Sequence, residues 1–278
     1  MKSRKEIKKT TEPKTVLITG ASSGFGKATA ELLAGQGYRV FGTSRYGNGM
    51  DAAGYEMLTL DVRDDDSVRR CVEAVLATTG RIDILINNAG YELTGALEET
   101  AVDEAKAQFE TNFFGVLRMT NAVLPVMREQ GEGRIINIGS LAGLVAVPFH
   151  GMYSASKYAL EGYSEALRLE VRPFNIQVSL IEPGFSSTNL ARSGKQSSRL
   201  ISAYSPMRER IFPAFTEAVQ TGQQPEAIAR LILALIRKDS PRLRYRVGSD
   251  SVWLPRLKMM VTGASFEAGV RRKFHLDG

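Results

Sequence analysis

The segment Thr19-Gly20-Ala21-Ser22-Ser23-Gly24-Phe25-Gly26 has the residue types to cradle an anion. Glycines spaced G-x-x-x-G-x-G let the backbone turn tightly and approach a pyrophosphate. A helix starting near Gly24 aims its free N–H groups and positive dipole end at that anion. A glycine cluster alone also describes an ordinary tight turn. Its place between an apolar strand, TVLIT, and the first helix favours phosphate binding. The end of the second strand then reads the adenosine ribose. An acid there would hold a free 2′-OH, but the sequence is Gly42-Thr43-Ser44-Arg45, and Asp51 comes six residues later. Arg45, with Ser44 beside it, can pair with a 2′-phosphate through charge-assisted hydrogen bonds. The expected cofactor is NADP(H) in preference to NAD(H). The competing reading of Arg45 is a solvated surface cation.

Further motifs follow in order. Asp61-Val62 follows the third strand and Asn88-Ala89-Gly90 the fourth. Ser140 follows the fifth strand, 13 positions before Tyr153 of a Tyr-x-x-x-Lys ending at Lys157. Asn112 lies in a long helix between Asn88 and Ser140, and Pro183-Gly184 with Thr188 reads P-G-x-x-x-T. With TGASSGFG, these motifs resemble the short-chain dehydrogenase/reductase family, single-domain type, over about residues 15–247. Residues 139–157 and the basic C-terminal segment look most like hydroxysteroid and retinol dehydrogenases. The resemblance implies an oxidoreductase with catalytic residues Asn112, Ser140, Tyr153 and Lys157. It implies a cofactor held by Gly20, Ser22, Ser23, Gly24, Phe25 and Gly26, with Asp61 and Val62 at the adenine. Asn88, Ala89 and Gly90 would line the cleft. Tyr153, Lys157, Pro183, Gly184 and Thr188 would contact the nicotinamide end. Some NADP-preferring members carry a basic residue where this chain has Ser23, which leaves the discrimination to Arg45.

Carbonyl reduction needs a hydride donor at the carbon and a proton donor at the oxygen. Tyr153 would be the acid, and its phenolate the base in the oxidation direction. Bringing a tyrosine from about 10 to about 7 takes roughly 4 kcal/mol. Lys157, four residues on, shares its helix face. A positive charge about 4 Å away at an effective dielectric of about 20 supplies a similar amount. Ser140 would donate a hydrogen bond to the substrate oxygen. Asn112 is expected to fix a water linking Lys157 to solvent; it also reads as a buried Asn tying helix to strand.

Strands rich in Val, Ile and Leu are expected at 15–19, 38–43, 57–60, 82–86, 134–138, 176–181 and 243–247. Helices are expected at 24–36, 66–77, 103–128 (Pro125 kinking its last turn), 153–171 and 224–237. This alternation predicts an α/β fold: one doubly wound Rossmann-type domain, 15–250, with a mostly seven-stranded parallel sheet. Residues 1–14 read as a flexible basic arm and 251–278 as a basic extension interrupted by Pro255 and Gly263. Residues 185–221 read as a substrate loop with helical patches and no strand.

The 278 residues are 43% hydrophobic and 24% charged, enough to bury a core and exclude disorder. One cysteine excludes a disulfide framework, and two histidines argue against a metal site. The net charge of +6 sits at the ends: residues 1–14 carry +4, residues 237–278 carry +6, and the middle carries −4. That placement, with no recognition motif, argues against a nucleic-acid partner. The longest uncharged apolar stretch, 135–149, falls short of the roughly 20 residues of a membrane helix. The N-terminus lacks an apolar core for secretion, so a cytoplasmic location is expected. The basic C-terminal segment suggests peripheral membrane contact, against the reading that it packs near the substrate opening. The resemblance implies a homodimer or homotetramer. His150 and Phe149 beside Tyr153, and Phe185, Met152, Leu190, Tyr204, Phe212 and Phe215, suggest a small hydrophobic carbonyl or alcohol substrate. The alternative function is a redox-inactive dinucleotide-binding regulatory protein on the same fold. Retention of Ser140, Tyr153, Lys157 and Asn112 argues against it.

Overall fold

A computed structural model describes residues 12–47, 49–51, 53–187, 194–274 and 276. The sheet is built on β1 (Thr15–Ile18), β2 (Arg39–Ser44), β3 (Gly49–Met50), β4 (Glu56–Thr59), β5 (Ile84–Asn87), β7 (Gly133–Ile138), β8 (Ile176–Pro183) and β10 (Arg244–Val247). Their order is β10-β8-β7-β5-β1-β2-β4-β3. Seven strands are parallel, as the alternation predicts; β3 adds an antiparallel edge against β4. Two residues are too few to show a period in sequence.

The helices are α1 (Gly24–Gly35), α2 (Asp65–Thr79), α3 (Val102–Phe109), α4 (Gly115–Gln130), α5 (Gly151–Val171), α6 (Ser205–Gln220), α7 (Pro225–Ile236), α8 (Ser249–Met260) and α9 (Gly263–Lys273). Period-two alternation sorts the sheet's side chains onto two faces. Leu17, Leu85, Ile135 and Val178 pack with Val72 and Val75 of α2, Met119 and Val123 of α4 and Leu167 of α5. Val16, Ile18, Ile86, Ile136 and Ile181 pack with Leu33 of α1 and Ile228, Ile232 and Leu235 of α7. Helix α2 shows why such segments are helical: the Asp64 carboxylate caps Ser67 N–H, Asp65 and Asp66 occupy the first turn, and Gly80 ends it at φ 66.

Three expectations change. The long helix at 103–128 is divided: a π-helical turn at Glu110–Phe114 joins α3 to α4, and Pro125 lies inside α4, which runs on to Gln130. The region 185–221 does contain a strand, β9 (Lys195–Gln196), paired in parallel with β6 (Leu93–Thr94). This pairing is non-local and two residues long, so no sequence period announces it. The same region holds α6. Its seat is Glu99, fully buried, which accepts hydrogen bonds from Ile201 N–H at 2.8 Å and Ala96 N–H at 2.9 Å and pairs with Arg208.

The C-terminal segment is helical from Ser249, with Pro255 inside α8 rather than interrupting it. It packs on the carboxyl end of β8. Ser251 Oγ donates to Glu182 O at 2.7 Å, Phe185 N–H donates to Asp250 Oδ2 at 2.6 Å, and Lys258 Nζ donates to Leu144 O at 2.9 Å. No described helix is long and apolar enough to cross a membrane.

Candidate active site

A cleft of about 420 Å³ opens where the strand order reverses between β1 and β5, at the carboxyl ends of the parallel strands. Open α/β sheets place ligands at such a point. Its lining includes Gly20, Ser22, Ser23, Gly24, Phe25, Ser44, Arg45, Asp61, Val62, Asn88, Ala89, Gly90, Asn112, Ser140, His150, Tyr153, Lys157, Pro183, Gly184 and Phe185. These candidates named from the sequence converge from the carboxyl ends of β1, β2, β4, β5, β7 and β8, joined by Asn112 from the π-helical turn and by Tyr153 and Lys157 from α5.

The glycine turn takes the conformations glycine permits, with φ +68 at Gly20 and φ +54 at Gly24. Gly26 is behind the cleft rather than on it. A Cβ there would strike Gly20 O and come within 2.6 Å of Asn88 Nδ2. That close approach lets α1 begin directly beneath the turn. Asn88 locks it: Nδ2 donates to Thr19 O at 2.9 Å and to Gly20 O at 2.8 Å. Ser23, the N-cap of α1, makes no side-chain cap bond. Asp61 and Arg45 face the cleft together. The Arg63 guanidinium beside Asp61 holds its carboxyl below the usual range, with a smaller contribution from Arg45. Arg63, on the lining at 2.6 Å from Asp61 Oδ2, was not singled out by sequence reasoning. The short spacing Asp61-x-Arg63 was its signal.

Helix α5 presents Tyr153 and Lys157 on its buried face. Ser140 and Tyr153 lie together on the cleft wall, and Ser140 Oγ accepts from Ala142 N–H at 3.0 Å. Burial pushes the phenol above its ordinary value, Glu92 adds to that, and the Ser140 hydroxyl opposes it. The Lys157 ammonium lies 5.8 Å from the Tyr153 ring centroid and donates to Ile138 O at 2.7 Å. Burial lowers Lys157 to about 8, with Glu161 opposing.

Asn112 sits in the π turn, a distortion often found at functional sites. Its Oδ1 accepts from Tyr91 N–H at 3.1 Å, and its Nδ2 donates to Tyr91 O at 2.9 Å and Ser156 Oγ at 3.4 Å. It clamps the backbone beside the cleft.

At the Tyr153 end of the cleft, Phe215 stacks on His150 at 4.2 Å and meets Phe185 edge-on at 5.4 Å. Phe149 is not on the lining. Its backbone is left-handed, φ 62, and its ring packs with Phe212, Tyr204, Ile211 and Phe274 behind the cleft. Thr188 and Leu190 lie outside the described residues. Glu92, which no local sequence signal marks, is also on the lining and is 5% exposed. Its burial follows from the β6–β9 pairing.

The sequence model of the short chain dehydrogenase family matches residues 14–198. A 3-ketodihydrosphingosine reductase from Bacteroides thetaiotaomicron is 42% identical over 259 residues, 88% of this chain and 94% of the relative. Retinol dehydrogenase 8 from Bos taurus is 37% identical over 271 residues, 89% and 86% of the two chains. The solved structure of a short-chain dehydrogenase from Streptomyces avermitilis superposes with a TM-score of 0.81 at 37% identity, covering 95% of this chain and 96% of that one. With a family match over more than half its length and a fold shared end to end with such enzymes, the chain belongs to the short-chain dehydrogenase/reductase family of oxidoreductases.

Proposed function

We propose that the protein is an NADP(H)-dependent oxidoreductase that interconverts a hydrophobic ketone or aldehyde and its alcohol, with Tyr153 as general acid and base. The observation that carries this reading is the convergence of Ser140, Tyr153 and Lys157 on one wall of the cleft that the glycine turn opens, with Tyr153 and Lys157 buried and the Lys157 ammonium 5.8 Å from the Tyr153 ring.

The residues fit a nicotinamide dinucleotide. The left-handed glycines, the uncapped start of α1 and the Ser23 hydroxyl suit a pyrophosphate. Arg45 supports the 2′-phosphate form, with Asp61 beside it on the cleft wall. Bound at this site, the nicotinamide supplies or accepts the hydride. Ser140 donates to the carbonyl oxygen and fixes it where negative charge develops. Tyr153 gives that oxygen its proton in reduction and removes it in oxidation. Lys157, when protonated, offsets the charge left on the phenolate. Phe185 and Phe215 supply apolar walls, in keeping with the relatives named as a 3-ketodihydrosphingosine reductase and a retinol dehydrogenase.

The test is a panel of hydrophobic ketones, aldehydes and alcohols, assayed by nicotinamide absorbance with NADPH and NADH separately. The expected result is turnover with kcat/KM higher for NADPH. Tight dinucleotide binding with no turnover anywhere on the panel would overturn the enzymatic reading.

A further inference from the structure

Glu92 is almost fully buried on the cleft wall, and its only ion-pairing neighbour among the described residues is His150, Oε1 to Nε2 at 3.3 Å. Its backbone is held on every side. Asn112 clamps Tyr91, Gln108 bonds Tyr91 O at 2.8 Å and Leu93 N–H at 2.7 Å, and Lys195 N–H donates to Glu92 O at 2.7 Å. The nearby Lys195 ammonium lies over the Tyr91 ring, 5.4 Å from its centroid. The fold therefore presents one carboxyl rigidly to the cleft without a structural cation.

His150 adds a second acceptor. Its Nδ1, 3.0 Å from Pro148 O, donates there, which leaves Nε2 as a lone pair in the neutral ring. Nε2 is buried with no hydrogen-bond partner. An ionised Glu92 and the neutral His150 ring are two acceptors 3.3 Å apart, a destabilising pair unless Glu92 takes up a proton itself or an outside donor joins them. Burial pushes Glu92 up to about 7 and His150 down, the Pro148 bond opposing the latter, so an ammonium that keeps Glu92 ionised replaces the proton the carboxyl otherwise takes up.

Resting on the oxidoreductase reading above, we propose that Glu92 and His150 form a subsite for a protonated amine on the substrate, close to the reacting carbon. An ammonium has N–H donors for both acceptors and the charge to neutralise Glu92. A hydroxyl supplies one donor and no charge. The place fits: His150 is the N-cap of α5, three residues before Tyr153, and Phe215 stacks on its ring beside the cleft. The subsite also bears on the chemistry. Glu92 is the carboxylate that helps hold the proton on Tyr153. An ammonium against it removes that opposition, so an amine-bearing alcohol eases formation of the phenolate that takes its proton.

The test compares, with NADP+, a hydrophobic vicinal amino alcohol and the same alcohol with hydrogen in place of the amine. The wild-type enzyme is expected to favour the amine at least about tenfold in kcat/KM, mainly through KM, and Glu92→Gln to erase that preference. Turnover indifferent to the amine, or a preference that survives Glu92→Gln, overturns the subsite and leaves the oxidoreductase reading standing. Calorimetry on wild-type protein loaded with NADP+ separates the remaining cases. Amine binding without turnover keeps the subsite and overturns the oxidoreductase reading; neither binding nor turnover overturns both.

Discussion

The Lys157 ammonium donates to the carbonyl oxygen of Ile138 at 2.7 Å in a buried site. That bond positions the charge beneath Tyr153 but does not offset its desolvation. Lys157 falls from 10.5 in the unfolded chain to about 8 in the fold. Below about 8 both states carry the proton, and the fold bears the full cost of the buried charge, about 3 kcal/mol by linkage. Between about 8 and 10.5 the unfolded state binds more protons, so stability rises with pH and the cost lifts. Lys157→Met removes that cost and loses one hydrogen bond worth about 1 kcal/mol. Thermal melts should show an equal or higher Tm for the variant at pH 7, and a lower one near pH 10. A large loss of stability at pH 7 would contradict the account. Activity should be lost at both.

Tyr153→Phe deletes the proposed proton donor and keeps the ring. Turnover should fall by roughly 10²–10⁴, while NADPH affinity by fluorescence titration changes by no more than a few-fold. Ser140→Ala should cost roughly 10²–10³ in kcat, the range seen for loss of one donor to a developing oxyanion. Since the two hydroxyls share one stretch of the cleft wall and are proposed to act on the same substrate oxygen, the double variant should be little worse than Tyr153→Phe alone. Multiplicative losses would mean that the two act separately.

Arg45 lines the cleft, and its guanidinium packs over the Tyr46 ring at 5.8 Å. Arg45→Asp puts an acid where a 2′-phosphate would lie and leaves the glycine turn untouched. The Michaelis constant for NADPH should rise at least about tenfold, as for a lost charge-assisted bond, while that for NADH stays level or falls. Equal rises for both cofactors would remove Arg45 as the discriminating residue.

The parts legible in sequence are those whose signal is local. Apolar strands such as IDILI and IQVSLI, and the caps of α2, carry their own period and boundary residues. Tyr153 and Lys157 are one helical turn apart, so their shared face needed no tertiary information. The substrate end is different. Glu92 becomes buried because β9, more than one hundred residues away, pairs beside it. Phe149 turns out of the cleft because its left-handed backbone directs the ring into the α6 and α9 cluster. Residue type and spacing carry neither fact. Asn112 lies between these cases: its position was readable, but the π turn that aims both ends of its amide at Tyr91 was not.

Two glycines of α1 should respond oppositely to alanine. Gly26 faces Gly20 O, with Asn88 Nδ2 at 2.6 Å from where a Cβ would stand. Both neighbours belong to the turn, and Asn88 cannot retreat without releasing Thr19 O and Gly20 O. Gly26→Ala should therefore destabilise by about 1–3 kcal/mol and weaken NADPH binding at least about tenfold, although Gly26 is not on the cleft wall. Gly35, at the last turn of the same helix, has nothing within 4 Å of its would-be Cβ and is not left-handed. Gly35→Ala should stabilise by about 0.5–1 kcal/mol through reduced freedom of the unfolded chain, with binding unchanged. Paired melts and titrations on the two variants check both signs. A Gly26→Ala variant that binds NADPH normally would show that the turn tolerates displacement, and that the tight seat of α1 serves packing alone.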